Sequence, residues 1–115
     1  MLRTFPDDAN GATLRRMQVN GDDLTKSRVV DFSVVFPSQF LAERFAEDVK
    51  ILGFDCSVEE TKCVPDLPWD VLVRRNMIPS HADITEFENQ LASLAKSLEG
   101  RNDGWGCFSV PLPKS

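Results

Sequence analysis

The sequence predicts an α+β domain in which two helices cover one face of a four-stranded antiparallel sheet. Three observations carry that expectation. Residues 28–36 alternate, with Val30, Phe32, Val34 and Phe36 on one side. Ile84, Phe87, Leu91, Leu94 and Leu98 recur at the three- and four-residue steps of an amphipathic helix. Pro37-Ser38, Gly53 and Pro79-Ser80 stand where one period gives way to the other.

Each element follows from its own residues. Asp7 and Asp8 precede a short helix over residues 9–20, where carboxylates suit the positive end of the helix dipole, and Gly21 follows its end. Leu14 and Met17 share one side of it, while Gly11 costs it about 1 kcal/mol against alanine. The strand over residues 28–36 comes next. Ser38 caps a second helix that carries Leu41, Phe45, Val49 and Leu52 on one stripe, and Gly53 stops it. Phe54, Cys56 and Val58 alternate with Asp55, Ser57 and Glu59, a strand with one polar face. Residues 59–68 hold two prolines and several charges and form a hairpin connection. Trp69, Val71 and Val73 begin a third strand that runs toward Met77. Ser80 and Asp83 open the last helix as a capping-box-like pair, and Gly100 ends it. A final strand covers residues 104–110, after which Pro111 and Pro113 close the domain.

The order is a helix, then β-α-β-β-α-β. This is the ferredoxin-like, split-βαβ arrangement, with strand order 4-1-3-2 and two helices on one face besides the short N-terminal one. The opposite sheet face stays uncovered unless a partner or the N-terminal segment lies on it. A length of 115 residues fits one domain, here residues 1–115.

Composition narrows the function classes. No stretch is apolar for the ~18 residues a membrane helix needs, and the first residues carry acids and a proline instead of a basic-then-apolar leader. A cytoplasmic protein is expected. Three cysteines at irregular spacing, Cys56, Cys63 and Cys107, do not make a disulfide framework. A net charge of −5 argues against direct nucleic-acid binding. The surplus is concentrated: residues 43–70 carry eight acids against three bases. That segment is either a solvated face or a docking surface for a basic partner, with Glu43, Glu47, Asp55, Glu59 and Glu60 as its contact residues.

No chemistry-bearing constellation assembles. The topology puts Cys56 and Cys107 on opposite edge strands, about 14 Å apart by strand spacing, too far for one metal ion. His81 is the sole histidine and sits in the first turn of the last helix, where a capping or packing role fits better than catalysis. There is no phosphate-cradling glycine loop. No catalytic residue, cofactor or metal is expected. Arg74-Arg75 places one guanidinium on the open sheet face, solvated or poised for a carboxylate. Trp105, between Gly104 and Gly106, is either a core residue at a sheet edge beside a bulge or an exposed aromatic anchor.

Phe5-Pro6-Asp7-Asp8, Val30-Asp31-Phe32, the stretch from Arg74 through Met77, Ile78, Pro79 and Ser80 to His81, and Asp103-Gly104-Trp105-Gly106-Cys107 together resemble the regulator of ribonuclease activity B family. The resemblance covers nearly the whole chain. It implies a ferredoxin-like domain and a protein that binds ribonuclease E outside its catalytic region and alters which transcripts decay. A non-enzymatic protein-binding regulator, monomer or homodimer, is thus the leading expectation. A ferredoxin-like module binding a small polar ligand on its open face, near Asp31, Ser33 and Ser57, is the alternative.

Overall fold

The computed structural model describes residues 5–61 and 64–112. Its elements follow the predicted order: α1 (Ala9–Val19), β1 (Arg28–Phe36), α2 (Gln39–Ile51), β2 (Asp55–Glu60), β3 (Trp69–Met77), α3 (His81–Lys96) and β4 (Arg101–Cys107). Cys63 and Pro113 lie outside the described residues. The sheet is antiparallel with order β2-β3-β1-β4. Read from the other edge, this is the expected 4-1-3-2, and the fold is ferredoxin-like.

Alternation in β1 decides where the core sits. Val30, Phe32, Val34 and Phe36 are fully buried and point toward the helices, as do Val71 and Val73 of β3. Phe32 meets Phe87 of α3 edge-on at 4.8 Å, and Phe36 lies 4.9 Å from Phe45 of α2. Burying each side chain of this size contributes about 1.5–3 kcal/mol. α1 packs beside α3 and adds Leu14 to the same core. α1, α2 and α3 each begin on a side-chain cap. Asp8 accepts from the Gly11 amide, Ser38 from that of Leu41 and Ser80 from that of Asp83.

Gly11 has a steric reason to be there. It is buried, and a Cβ at this position would collide with the carbonyl of Pro6. The chain before α1 folds back against the helix only because that side chain is missing.

Two boundaries differ from the sequence expectation. α3 ends at Lys96, so Leu98 falls beyond it and Ala95 closes the buried stripe after Leu91. Glu99, not Gly100, takes the left-handed conformation, and the Gly100 amide donates back to the carbonyl of Ala95. β4 covers Arg101–Cys107 instead of residues 104–110. Arg101 and Asn102 already pair with Val35 and Val34, and the register then shifts by a bulge at which Gly104 has φ 102°. Past Cys107 the chain leaves β1 for the α1–β1 loop, where the Asp23 amide donates to the Val110 carbonyl at 2.7 Å.

That loop is held by a buried ion pair. Arg28 Nη1 lies 2.7 and 2.8 Å from the two carboxylate oxygens of Asp22, with both side chains at most 5% exposed. Arg28 also donates to the carbonyls of Asp23, Lys26 and Phe108, and Asp22 accepts the Val110 amide. Every nitrogen of the guanidinium has a partner, the condition under which a buried charge is tolerated.

Candidate functional site

The acids of residues 43–70 fall on two sides of one molecular edge. Glu43 and Glu47 stand exposed on the outer side of α2, where they line a shallow groove of about 470 Å³ with Ala46, Lys50 and Val58 of β2. Phe40, 74% exposed, stands beside them. Along β2 the side chains alternate. Cys56 is buried toward α2, its thiol 3.6 Å from the Ala46 carbonyl, so Glu60 falls by alternation on the helix side. Asp55 and Glu59 fall on the uncovered sheet face, opposite Arg74 and Asp70 of β3. One sequence segment thus becomes a carboxylate rim that wraps the β2 edge.

Arg74 and Arg75 occupy opposite faces, as their alternation requires. Arg74 is on the uncovered face, donating to Asp55 at 3.2 Å and to the Ser57 hydroxyl at 2.9 Å. Half-exposed in this way, the pair is worth at most about 1 kcal/mol. Arg75 turns toward the helices and lies over the rings of Phe87 and Phe54, at 4.8 and 5.7 Å from their centroids, a contact worth about 0.5–2 kcal/mol.

Trp105 pairs with Phe32 and lies on the helix-covered face, half-buried against the core. Its indole N–H donates to Asn10 of α1 at 2.9 Å, and the Asn10 amide donates in turn to Thr85 and Glu88 of α3. Asn102 of β4 donates to the Glu88 carbonyl. The exposed edge of Trp105 forms one wall of an open groove of about 460 Å³ lined by Asp8, Asn10, Thr13, Thr85 and Glu88. Just outside it, His81 Nε2 sits 2.8 and 3.0 Å from the two carboxylate oxygens of Asp8. The Gly11 amide, and then His81, hold the Asp8 carboxyl below its usual range. A carboxylate only accepts, so Nε2 carries the proton. Three of the stretches singled out in the sequence therefore meet where α1, α3 and β4 come together. Asn10, Thr85, Glu88 and Asn102 have no sequence signal that would have joined them.

None of this arrangement generates a nucleophile. Burial pushes the thiols of Cys56 and Cys107 up, away from the thiolate form that reacts. His81 is 22% exposed and engaged by a carboxylate, with no serine or cysteine hydrogen-bonded to it among the described residues. Asp70 is raised, chiefly by burial, although the Ser33 hydroxyl 2.6 Å away partly offsets this. Among the described residues no three His, Cys, Asp or Glu side chains are grouped to hold a metal ion, and no helix is long and apolar enough to cross a membrane.

The fold and these surfaces define a ferredoxin-like domain whose distinctive features are an acidic rim and an uncovered sheet face. Residues 7–107 match the model of the regulator of ribonuclease activity B family, and the chain belongs to that family. No curated protein matches the sequence.

Proposed function

We propose that the protein is a non-enzymatic cytoplasmic regulator that binds a ribonuclease of the ribonuclease E type and modulates RNA decay. Family membership supports the regulatory role, and the observation that carries the mode of binding is the carboxylate rim. Glu43, Glu47, Asp55, Glu59 and Glu60 are all exposed. Among the described residues only Asp55 of these is in an ion pair. Such a rim attracts the arginine-rich segments with which a ribonuclease holds RNA, and repels RNA itself. Arg74 fixes the position of Asp55 on the rim, and Trp105 contributes through the groove it shapes.

The test is retention of the ribonuclease by immobilised protein, with association rates measured at low and high salt. Glu59→Lys combined with Glu60→Lys should slow association several-fold at low salt, and the difference should fade as salt rises. No retention of ribonuclease by the wild-type protein at any salt would end this reading. A metabolite that raises the melting temperature would favour the small-ligand alternative.

A further inference from the structure

Among the described residues nothing requires Gly106 of β4 to lack a side chain. Its backbone is outside the left-handed region, and an added Cβ would have nothing within 4 Å. Gly104, two residues earlier, differs: its φ of 102° builds the bulge. A glycine inside a strand weakens it and often marks a bulge, a bend or the close approach of a ligand or another backbone; the bulge here is already built by Gly104. Gly106 pairs with Asp31, whose neighbours Val30 and Phe32 are buried toward the helices. The bare position therefore opens onto the uncovered sheet face.

That face has an apolar end. Phe108 follows Cys107, the partner of Val30, and Ile78 follows Met77, the partner of Arg28, so both lie at the same end of the sheet as Val29. These three, Phe108, Val29 and Ile78, are 90%, 50% and 47% exposed. Elsewhere the face carries the buried Val35 and half-buried Leu72 among more carboxylates than bases. By register Asp31, Asp55, Glu59 and Asp70 share it, with Arg74 and Arg101 as the bases. Asp103 lies close enough to add to the upward push on Asp70. The sign of this field selects the occupant. A phosphate backbone would be repelled, and a second copy would set the same carboxylates against each other.

We propose that the uncovered sheet face, floored by Gly106 and rimmed by Val29, Ile78 and Phe108, is the docking surface for a basic segment of the partner protein that carries an apolar side chain. The proposal rests on the ribonuclease-regulator reading and deepens it. The rim at α2 and β2 governs encounter, and the apolar end of the face governs residence.

Binding kinetics with the purified arginine-rich segment of the ribonuclease E-type enzyme as probe test this. Gly106→Val is the decisive variant, because the space for its side chain exists and valine favours strands. Its melting temperature should equal or exceed that of the wild type. Gly106→Val and Phe108→Ser should each raise the dissociation rate about tenfold or more, as expected for loss of a buried anchor. Glu43→Lys with Glu47→Lys should act on association and only at low salt. If the wild type binds and both face variants dissociate at its rate, the dock is elsewhere and the ribonuclease reading stands. If the wild type does not bind the segment, that reading falls and the docking proposal with it. Light scattering that shows a wild-type dimer turned to monomer by Gly106→Val identifies a second copy as the occupant, which also overturns the proposal.

Discussion

Removing the carboxylate of Asp22 should be among the most damaging single changes in this domain. In Asp22→Ala the Arg28 guanidinium keeps its carbonyl partners but loses its counter-charge, and the Val110 amide loses its acceptor. Both side chains are nearly inaccessible, at 5% and 2% exposure. Water therefore cannot replace what is lost without opening the loop. Breaking a buried pair by removing one partner costs about 3–5 kcal/mol, a large share of the ~5–15 kcal/mol that holds a domain of this size together. Replacing both partners by apolar residues, Asp22→Leu with Arg28→Met, should recover part of the loss by removing the uncompensated charge. Recovery should be incomplete, because the carbonyls of Asp23, Lys26 and Phe108 then lack their donor. Urea unfolding followed by tryptophan fluorescence measures each variant. The loss should change little between low and high salt, since a buried pair is weakly screened. A loss under about 1 kcal/mol, or one that vanishes in salt, would refute the picture of a dry clasp and mark the pair as an ordinary surface bridge.

Other perturbations probe the remaining elements. Leu91→Ala should cost about 2–5 kcal/mol in the same unfolding assay, because the residue is 2% exposed in the middle of the α3 stripe. Trp105→Phe keeps an aromatic ring but strands the Asn10 oxygen, a loss of about 0.5–1.5 kcal/mol; an unchanged midpoint would mean the bond contributes nothing. Asp70→Asn should raise the melting temperature at pH 7. The folded pKa of Asp70 is raised above its unfolded value near 3.8. Its contribution to stability is therefore most favourable below that value and is lost as pH rises through the folded pKa. The advantage of asparagine should accordingly shrink to nothing as the pH falls below 3.8, and a constant advantage at all pH values would refute the titration argument.

The elements were legible wherever local pattern and burial agree. The alternation of β1 predicted which of its residues meet the helices, and Ser38 and Ser80 marked the helix starts because capping is decided within four residues. The strand order followed from the sequence of elements, since few topologies connect β-α-β-β-α-β compactly. The end of α3 was misplaced because the Leu94–Leu98 spacing continues the stripe on paper. In the folded chain Ala95 fits against the sheet, and the helix stops at Lys96 so that β4 can begin at Arg101. Gly11 read as a cost in a helix and proved to be the space into which the Pro6 carbonyl fits.

The candidate surfaces divide along the same line. Charge is a property of composition, so the acidic surplus of residues 43–70 can be counted directly along the chain. Its distribution over two faces cannot, because that depends on the register of β2 against β3. The order and type of the elements, the buried stripes and the sign of the surface could be read from residues alone, since all are set by interactions within a few residues or by sums over the chain. Folding in three dimensions was needed to bring Asp22 to Arg28 beneath the C-terminal segment, Trp105 to Asn10, and Gly106 beside Asp31. Those pairings span from six to ninety-five positions. The first two exist because folding brings together groups, wholly or partly buried, whose hydrogen bonds and charges are then satisfied within the protein; the third follows from the register of β4 against β1.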